Sequence, residues 1–170
     1  MALAKILKFP NPVNEVAARC VAAGVVLMSL AVVLGWTWVV IPLALGFALR
    51  VAAGPRLSPL ALLVTRVIVP RLPARPKLVA GPPKRFAQTI GLVLSSAALV
   101  AIYGFGAVGV GQVLVAMILV AAFLESAFAF CLGCVMFGLL MRIGIIPASV
   151  CADCADISGR LADAEARRVA

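Results

Sequence analysis

The apolar stretch from Val110 to Met141 constrains the fold of this chain more than any other feature. Its 32 residues include a single charged side chain, that of Glu125. As one continuous α-helix the stretch would be about 48 Å long, whereas the hydrocarbon core of a bilayer is about 30 Å thick. The helix must therefore tilt strongly, break or leave the membrane. We expect a break near Gly133, which would place Cys131 at the membrane boundary.

Three further apolar runs and the composition indicate a membrane protein. Hydrophobic residues make up 65% of the chain and charged residues 12%, against about 45–50% and about 25% in soluble domains. We predict one all-α domain: an integral membrane four-helix bundle with a short interfacial helix and a cysteine-bearing cytoplasmic C-terminal segment. The predicted spans are residues 17–35, 38–53, 86–104 and 110–131. The other predicted segments are an interfacial helix over 58–69, a connector over 70–85, a four-cysteine segment over 131–154 and a polar tail over 155–170.

Short local signals mark the predicted ends of these helices. Asn14 is a good residue to start the first helix, and Ser58 followed by Pro59 is typical of an N-cap and first helical position. Pro70 is predicted to end that helix, and the five prolines between residues 70 and 85 predict an extended connector. Gly35-Trp36-Thr37 is the predicted turn between the first two spans. No small-residue cleavage motif follows the first apolar run, so we expect a retained anchor rather than a signal peptide.

The distribution of charge predicts the orientation in the membrane. The net charge is +9, and the segment from Arg50 to Arg85 carries eight Lys/Arg and no Asp/Glu. The two predicted outer turns carry no charge. By the positive-inside rule, both termini and the central segment are cytoplasmic, where basic residues meet anionic lipid. No aromatic-rich basic patch is present to stack bases, so the charge does not indicate a nucleic-acid partner.

Four of the five cysteines form the pattern C-x2-C-x16-C-x2-C, made by Cys131, Cys134, Cys151 and Cys154. This spacing is typical of zinc sites, and the absence of histidine leaves cysteine as the metal ligand. The segment between the two pairs is apolar, unlike the polar hairpins of a zinc ribbon. Three interpretations therefore stay open: a structural zinc or iron–sulfur site, a redox or sulfur-carrying dithiol site, and small buried apolar residues.

The dithiol interpretation requires a thiolate, and the expected cytoplasmic location disfavours stable disulfides. Arg142 is the nearest basic residue in sequence to the first pair, whereas Asp153 lies inside the second pair and works against ionisation. We expect all four paired cysteines to act as a thiol relay in this case, and as metal ligands in the alternative case. Cys20 is interpreted as a packing residue.

Glu125 is the membrane-buried acid of the predicted fourth span. An ionisable group at such a position is a functional candidate by default. Its expected partners are Arg19, Arg50, Gln88 and Ser95. If the helix were continuous, Glu125 would lie on a different face from Cys131 and Cys134. A weaker hypothesis is a conduit lined by Glu125, Gln88 and Gln112, which would need an oligomer because four short spans enclose little space.

The chain resembles an uncharacterised family of bacterial membrane proteins, that of domain of unknown function 4395. The matching stretches are Phe9-Pro-Asn-Pro-Val-Asn14-Glu15, Gly54-Pro55, Ser58-Pro59, Arg85-Phe86-Ala87-Gln88, Glu125, Cys131-Leu-Gly-Cys134 and Cys151-Ala-Asp-Cys154. The resemblance implies a multi-pass protein of the bacterial cytoplasmic membrane. It also implies a thioredoxin-like or rhodanese-like partner, because family members often occur beside such proteins.

Together these observations predict a membrane protein that handles thiol redox or sulfur transfer with a soluble partner. The alternative function is a structural zinc or iron–sulfur site in a membrane scaffold or partner-binding subunit. The sequence is compatible with a homo-oligomer and with a subunit of a larger membrane complex.

Overall fold

The computed structural model describes residues 13–54, 57–72, 78–79 and 81–145, and these residues are mostly helical. The described part contains six α-helices: α1 Glu15–Val33, α2 Val40–Ala53, α3 Pro59–Leu63, α4 Gly81–Tyr103, α5 Val108–Phe128 and α6 Leu132–Arg142. A 3-10 turn, Thr37–Val39, precedes α2. A π-helical turn, Val64–Ile68, and a 3-10 turn, Val69–Arg71, follow α3. Two short strands, β1 Val13–Asn14 and β2 Leu78–Val79, complete the described elements. The predicted helical class is confirmed.

Three helices of the described part, α1, α4 and α5, are long and apolar enough to cross a membrane. The apolar helical segment Thr37–Ala53, which contains α2, is shorter, and so is α6. Helices α1 and α5 pack along each other, α5 and α2 flank α4, and α6 packs against α4. The chain therefore forms a bundle of three long helices with two shorter helices beside α4.

Several of the largest fully buried side chains lie near the turns that join α1 to α2 and α4 to α5. Val32, Val40 and Val115 have no exposed surface there, and Leu43 is almost fully buried. Gly35, which has a φ of 110°, allows the reversal after α1, as the sequence predicted for this turn. The opposite end of the bundle holds the cavity described below.

The start of α1 is fixed by a cap and by a strand pair. The Asn14 side chain accepts hydrogen bonds from the backbone N–H groups of Val16 and Ala17, at 2.9 and 3.4 Å, so the predicted helix start is confirmed. Asn14 also pairs with Leu78 in the antiparallel ladder of β1 and β2. Because β2 lies just before α4, the ladder brings the beginnings of α1 and α4 to the same end of the bundle.

The predicted boundary between connector and third span is wrong. Helix α4 begins at Gly81, so Pro82, Pro83 and Lys84 belong to its first turn instead of to the connector. Proline is tolerated at this position, because the first N–H groups of a helix have no partner within the helix. The extra turn moves Lys84 from the predicted polar connector into the bundle.

The segment predicted as an interfacial helix over 58–69 is helical from Pro59 to Arg71 but changes its hydrogen-bonding pattern along its length. Only Pro59–Leu63 is α-helical, and the chain continues through a π-helical turn that changes the period of the side chains. Ser58 occupies the N-cap position, but its side chain forms no capping bond. Its Oγ is buried without a hydrogen-bond partner among the described residues. Thr65 lines the cavity inside the bundle, as does Ala61, four residues earlier.

The long apolar run breaks close to the predicted point. Helix α5 ends at Phe128, and Ala129 follows in the left-handed conformation with a φ of 57°. Cys131 is the N-cap of α6. A Cβ atom added at Gly133 would lie 2.4 Å from the Cβ atom of Ala87, so glycine allows α6 to rest directly on α4. The reversal and this close approach return Cys131 to the bundle.

Candidate functional site

A cavity of about 250 Å³ occupies the end of the bundle where α1 and α4 begin and α2 and α5 end. Most of its wall is formed by apolar and small side chains. Seven polar side chains or thiols also contribute: Asn14, Arg50, Thr65, Lys84, Gln88, Glu125 and Cys131. The cavity therefore brings the buried acid and the first cysteine of the chain to one place.

An ion pair between Lys84 and Glu125 crosses this cavity. Lys84 lies in the first turn of α4, and Glu125 lies in the last turn of α5. The side chains are 9% and 20% exposed, respectively, so the two charges are largely withdrawn from solvent. Lys84 was not among the expected partners of Glu125, because the sequence analysis placed it in the connector. A Pro-Pro pair followed by Lys, taken as a helix start, is the signal that would have found it.

Two of the expected partners of Glu125 are engaged elsewhere. Arg19 donates to the backbone carbonyls of Ser126 and Ala127, both at 3.1 Å, and so stabilises the C-terminal end of α5. Ser95 donates to the carbonyl of Gly91 at 2.7 Å within its own helix. The prediction that either residue pairs with Glu125 is wrong.

Arg50 adds a second cation to the cavity. Its side chain is 4% exposed, its Nε donates to the carbonyl of Gly46 at 3.0 Å, and its guanidinium lies 4.4 Å from the ring centroid of Phe47. It lines the same cavity as Glu125, but among the described residues the ion-pair partner of Glu125 is Lys84, so direct pairing of Arg50 with Glu125 stays a prediction. With Arg50 and Lys84 charged, the cavity holds two cations and one carboxylate, and thus an excess of positive charge.

A close contact between α2 and α4 places Arg50 there. A Cβ atom added at Gly91 would lie 2.3 Å from the ring of Phe47. Glycine at this position lets the ring approach α4 closely, and Arg50 follows Phe47 by one turn on the same helix, with its guanidinium over the ring.

The two glutamines of the predicted conduit lie apart. Gln88 lines the cavity, and its Oε1 is buried without a hydrogen-bond partner among the described residues. Gln112 instead donates to the backbone carbonyls of Val32 and Val33, at 3.4 and 3.2 Å. That contact caps the end of α1 at the opposite end of the bundle. Of the predicted conduit residues, the structure brings together Gln88 and Glu125 only.

Cys131 and Cys134 begin α6, and both are free thiols. Cys131 is buried and lines the cavity, whereas Cys134 is partly exposed and its backbone N–H donates to the carbonyl of Cys131 at 3.0 Å. The chain reversal at Ala129 places Cys131 in the same cavity as Glu125. The continuous-helix argument, which put the two residues on different faces, therefore does not apply.

The two thiols differ in acidity. Hydrogen bonding with the Cys134 thiol lowers the pKa of Cys131, and the charge of Lys84 adds to this effect, whereas burial and the charge of Glu125 oppose it. The same hydrogen bonding raises the pKa of Cys134. Cys131 is thus the thiol that ionises first. The cation that acts on this thiol is Lys84, paired with Glu125, whereas Arg142 lies at the far end of α6.

The second cysteine pair, Cys151 and Cys154, and the predicted tail lie outside the described residues. Within the described ranges, no group of three or more Cys, Asp, Glu or His side chains is arranged to hold a metal ion. Zinc ligation by all four cysteines therefore stays a prediction. Cys20 is partly buried on α1, and its interpretation as a packing residue is likewise untested.

One family profile, described as Domain of unknown function (DUF4395), matches residues 13–142 of the chain. The matched region contains Lys84, Glu125, Cys131 and Cys134, and it ends before Cys151. No curated protein and no solved structure matches the chain.

Proposed function

The chain belongs to the DUF4395 family, and we propose that it is an integral membrane protein that exchanges electrons with a protein partner through the Cys131–Cys134 dithiol. The proposal includes the bacterial cytoplasmic membrane as its location, with four spans and both termini on the cytoplasmic side. A thioredoxin-like protein is the partner that the family resemblance favours.

The outer surface of the bundle supports the membrane location. Leu27 on α1, Val93 on α4 and Val113 on α5 are each more than 60% exposed and point away from the core. Large contiguous apolar surfaces are rare on soluble monomers, whereas in lipid their exposure has no hydration cost. The segment Thr37–Ala53, which is shorter than the other candidates, would serve as the fourth span at the lower limit of about 17 residues.

The position of Cys131 at the N-cap of α6, beside Lys84 and with Cys134 one turn further, carries the dithiol proposal. The positive end of a helix and a nearby cation both stabilise a thiolate. A second thiol one helical turn away can attack a mixed disulfide between the first sulfur and a partner sulfur, which forms the internal disulfide and releases the partner thiolate without a large movement of the backbone.

The exchange proceeds in two steps from the oxidised pair. A thiolate of the reduced partner attacks the more exposed sulfur, that of Cys134. The Cys131–Cys134 bond breaks, and Cys131 leaves as the thiolate, the better leaving group because of its lower pKa. A second partner thiolate then attacks the partner sulfur of the mixed disulfide and releases Cys134. The partner loses two electrons as a disulfide forms in it, and two protons pass to Cys131 and Cys134.

The test begins with metal content and free-thiol count on full-length protein purified in detergent without chelator. Equilibration with a dithiol–disulfide buffer and trapping by alkylation should then reveal a Cys131–Cys134 disulfide by mass spectrometry. Cys131→Ser and Cys134→Ser should each abolish its formation and leave the melting temperature unchanged, and Cys20→Ser is the control.

Two results would contradict the dithiol function. Thiol exchange that persists in both serine variants would place the chemistry elsewhere. One zinc per chain, with four thiols masked until denaturation, would assign the cysteines to a structural metal site.

A further inference from the structure

We propose that the cavity beside Cys131 binds the ring of a lipid-soluble quinone, which accepts the two electrons of the Cys131–Cys134 dithiol. The inference rests on the proposed dithiol function for its electron donor. It adds a binding site and a substrate class that the dithiol alone does not define.

The size and wall of the cavity fit a small planar ring system. An apolar protein cavity of about 150 Å³ binds benzene, and this cavity measures about 250 Å³. It therefore has room for a ring head group with substituents. Val25, Phe47, Leu94, Ile118 and Met136 form its apolar walls, which suit a flat hydrocarbon ring.

The polar groups of the cavity fit a ligand that changes from hydrogen-bond acceptor to donor. A quinone presents two carbonyl oxygens, for which Lys84 and Arg50 supply N–H donors. Reduction places negative charge and then protons on these oxygens. The excess positive charge of the cavity stabilises the negative charge. The buried Oε1 of Gln88 has no partner among the described residues and can accept a hydrogen bond from a quinol O–H.

The location of the cavity suits a reactant dissolved in lipid. Most of its lining residues come from the three helices that are long and apolar enough to span a membrane. Val120, next to the cavity-lining Ala121 on α5, is 59% exposed on the outer face of the bundle. In a membrane, a lipid-soluble oxidant would therefore be concentrated on the outer side of a helix that forms the cavity wall.

The reaction is balanced without any further reactant. The Cys131 thiolate attacks a ring carbon of the quinone and forms a carbon–sulfur bond. The Cys134 thiolate attacks the Cys131 sulfur, the carbon–sulfur bond breaks, and the electron pair stays on the ring. The two thiol protons end on the two oxygens. One dithiol is oxidised to a disulfide and one quinone is reduced to a quinol.

The experiment uses full-length protein in detergent with Cys151→Ser and Cys154→Ser, so that Cys131 and Cys134 are its remaining pair. The protein is reduced, freed of reductant and mixed anaerobically with decylubiquinone. Quinol formation and free thiols are measured over time. Ala121→Phe fills the cavity, and Val120→Phe, its neighbour on the outer face, is the matched control. Equilibrium dialysis of decylubiquinone with a variant that also carries Cys131→Ser and Cys134→Ser measures binding without chemistry.

We expect one quinol for each disulfide formed. The rate of quinol formation should be at least tenfold lower in Ala121→Phe and unchanged in Val120→Phe. The variant with Cys131→Ser and Cys134→Ser should bind decylubiquinone, and adding Ala121→Phe to it should abolish this binding. Equal rates in the two phenylalanine variants would overturn the site. Dithiol exchange with a protein partner but neither binding nor reduction of the quinone would overturn this inference and leave the dithiol function intact. Loss of all thiol exchange would overturn both. Binding of oleate, with no binding of quinone, would assign the cavity to an anionic lipid instead.

Discussion

Lys84 in the first turn of α4 and Glu125 in the last turn of α5 form an ion pair across the cavity, although 41 residues separate them in the chain. Each charge lies among apolar side chains, so each depends on the other for its stability inside the bundle.

Separating this pair should destabilise the protein. Lys84→Met and Glu125→Gln each leave one uncompensated charge, and we expect a loss of roughly 1–3 kcal/mol for either change because the pair is mostly but not fully buried. Lys84→Met with Glu125→Gln should cost less than the sum of the two, because neither member of the pair is left without the other. Thermal melting in detergent measures all three. Strictly additive losses would mean that the two charges do not interact.

The close approach of α6 to α4 should depend on Gly133. Gly133→Ala places a methyl group against Ala87, and such overpacking costs about 1–3 kcal/mol. It should also move Cys131 away from Lys84 and slow disulfide formation. Gly138→Ala, on the same helix with open space around it, is the control and should change neither property. Melting curves and thiol-trapping rates compare the two variants. Equal melting temperatures and equal trapping rates would argue against the observed contact between α6 and α4.

The reactivity of Cys131 should follow its lowered pKa. Its thiolate forms at a lower pH than that of an ordinary cysteine, because Cys134 donates to it and Lys84 is nearby. Lys84→Met removes the cation, so the midpoint of its alkylation against pH should move upward and the rate at neutral pH should fall. Fragmentation mass spectrometry can follow Cys131 separately from Cys134.

Arg142→Met is the control for this shift, because Arg142 ends α6 on the side away from Cys131. We expect it to leave the midpoint where it is. If the pH midpoint of Cys131 alkylation changed in Arg142→Met but not in Lys84→Met, Arg142 would be the cation that acts on this thiol, as its proximity in sequence suggested.

The orientation predicted from charge can be tested with two exposed positions. In a cysteine-free background, Phe105→Cys lies in the turn between α4 and α5, where Phe105 is 80% exposed, and Arg71→Cys lies on the other side. A membrane-impermeant maleimide should label the first in intact cells and the second only after the inner membrane is opened. The reverse pattern would invert the topology and place the dithiol outside the cytoplasm.

Hydrophobic runs and their lengths predict much of the helical framework. The starts of α1 and α5, the turn at Gly35 and the interruption of the last run follow from residue type and from the length of a helix. The start of α4 does not, because proline usually breaks a helix, whereas Pro82 and Pro83 occupy the first turn, which tolerates it. Propensity alone does not distinguish Pro82 in a first turn from Pro82 in a connector.

The composition of the site is harder to predict than its helices. Pairing of Lys84 with Glu125 depends on contact between helices far apart in sequence, which no local pattern encodes. The shared location of Glu125 and Cys131 in one cavity is not predictable from the sequence, because Ala129 adopts a left-handed conformation that glycine or asparagine usually supplies. An alanine at that position gives no sequence signal for a reversal.

Part of the cavity wall is made of alanine and glycine, among them Ala17, Ala22, Ala87, Gly91 and Ala122. Unlike the larger apolar residues of the wall, these have no side-chain rotamers through which they could collapse into the space. Each alanine-to-valine change would therefore reduce the cavity volume by a defined step without altering a charge. The size of the cavity and its charge accordingly depend on different residues, and each can diverge among relatives while the other is kept.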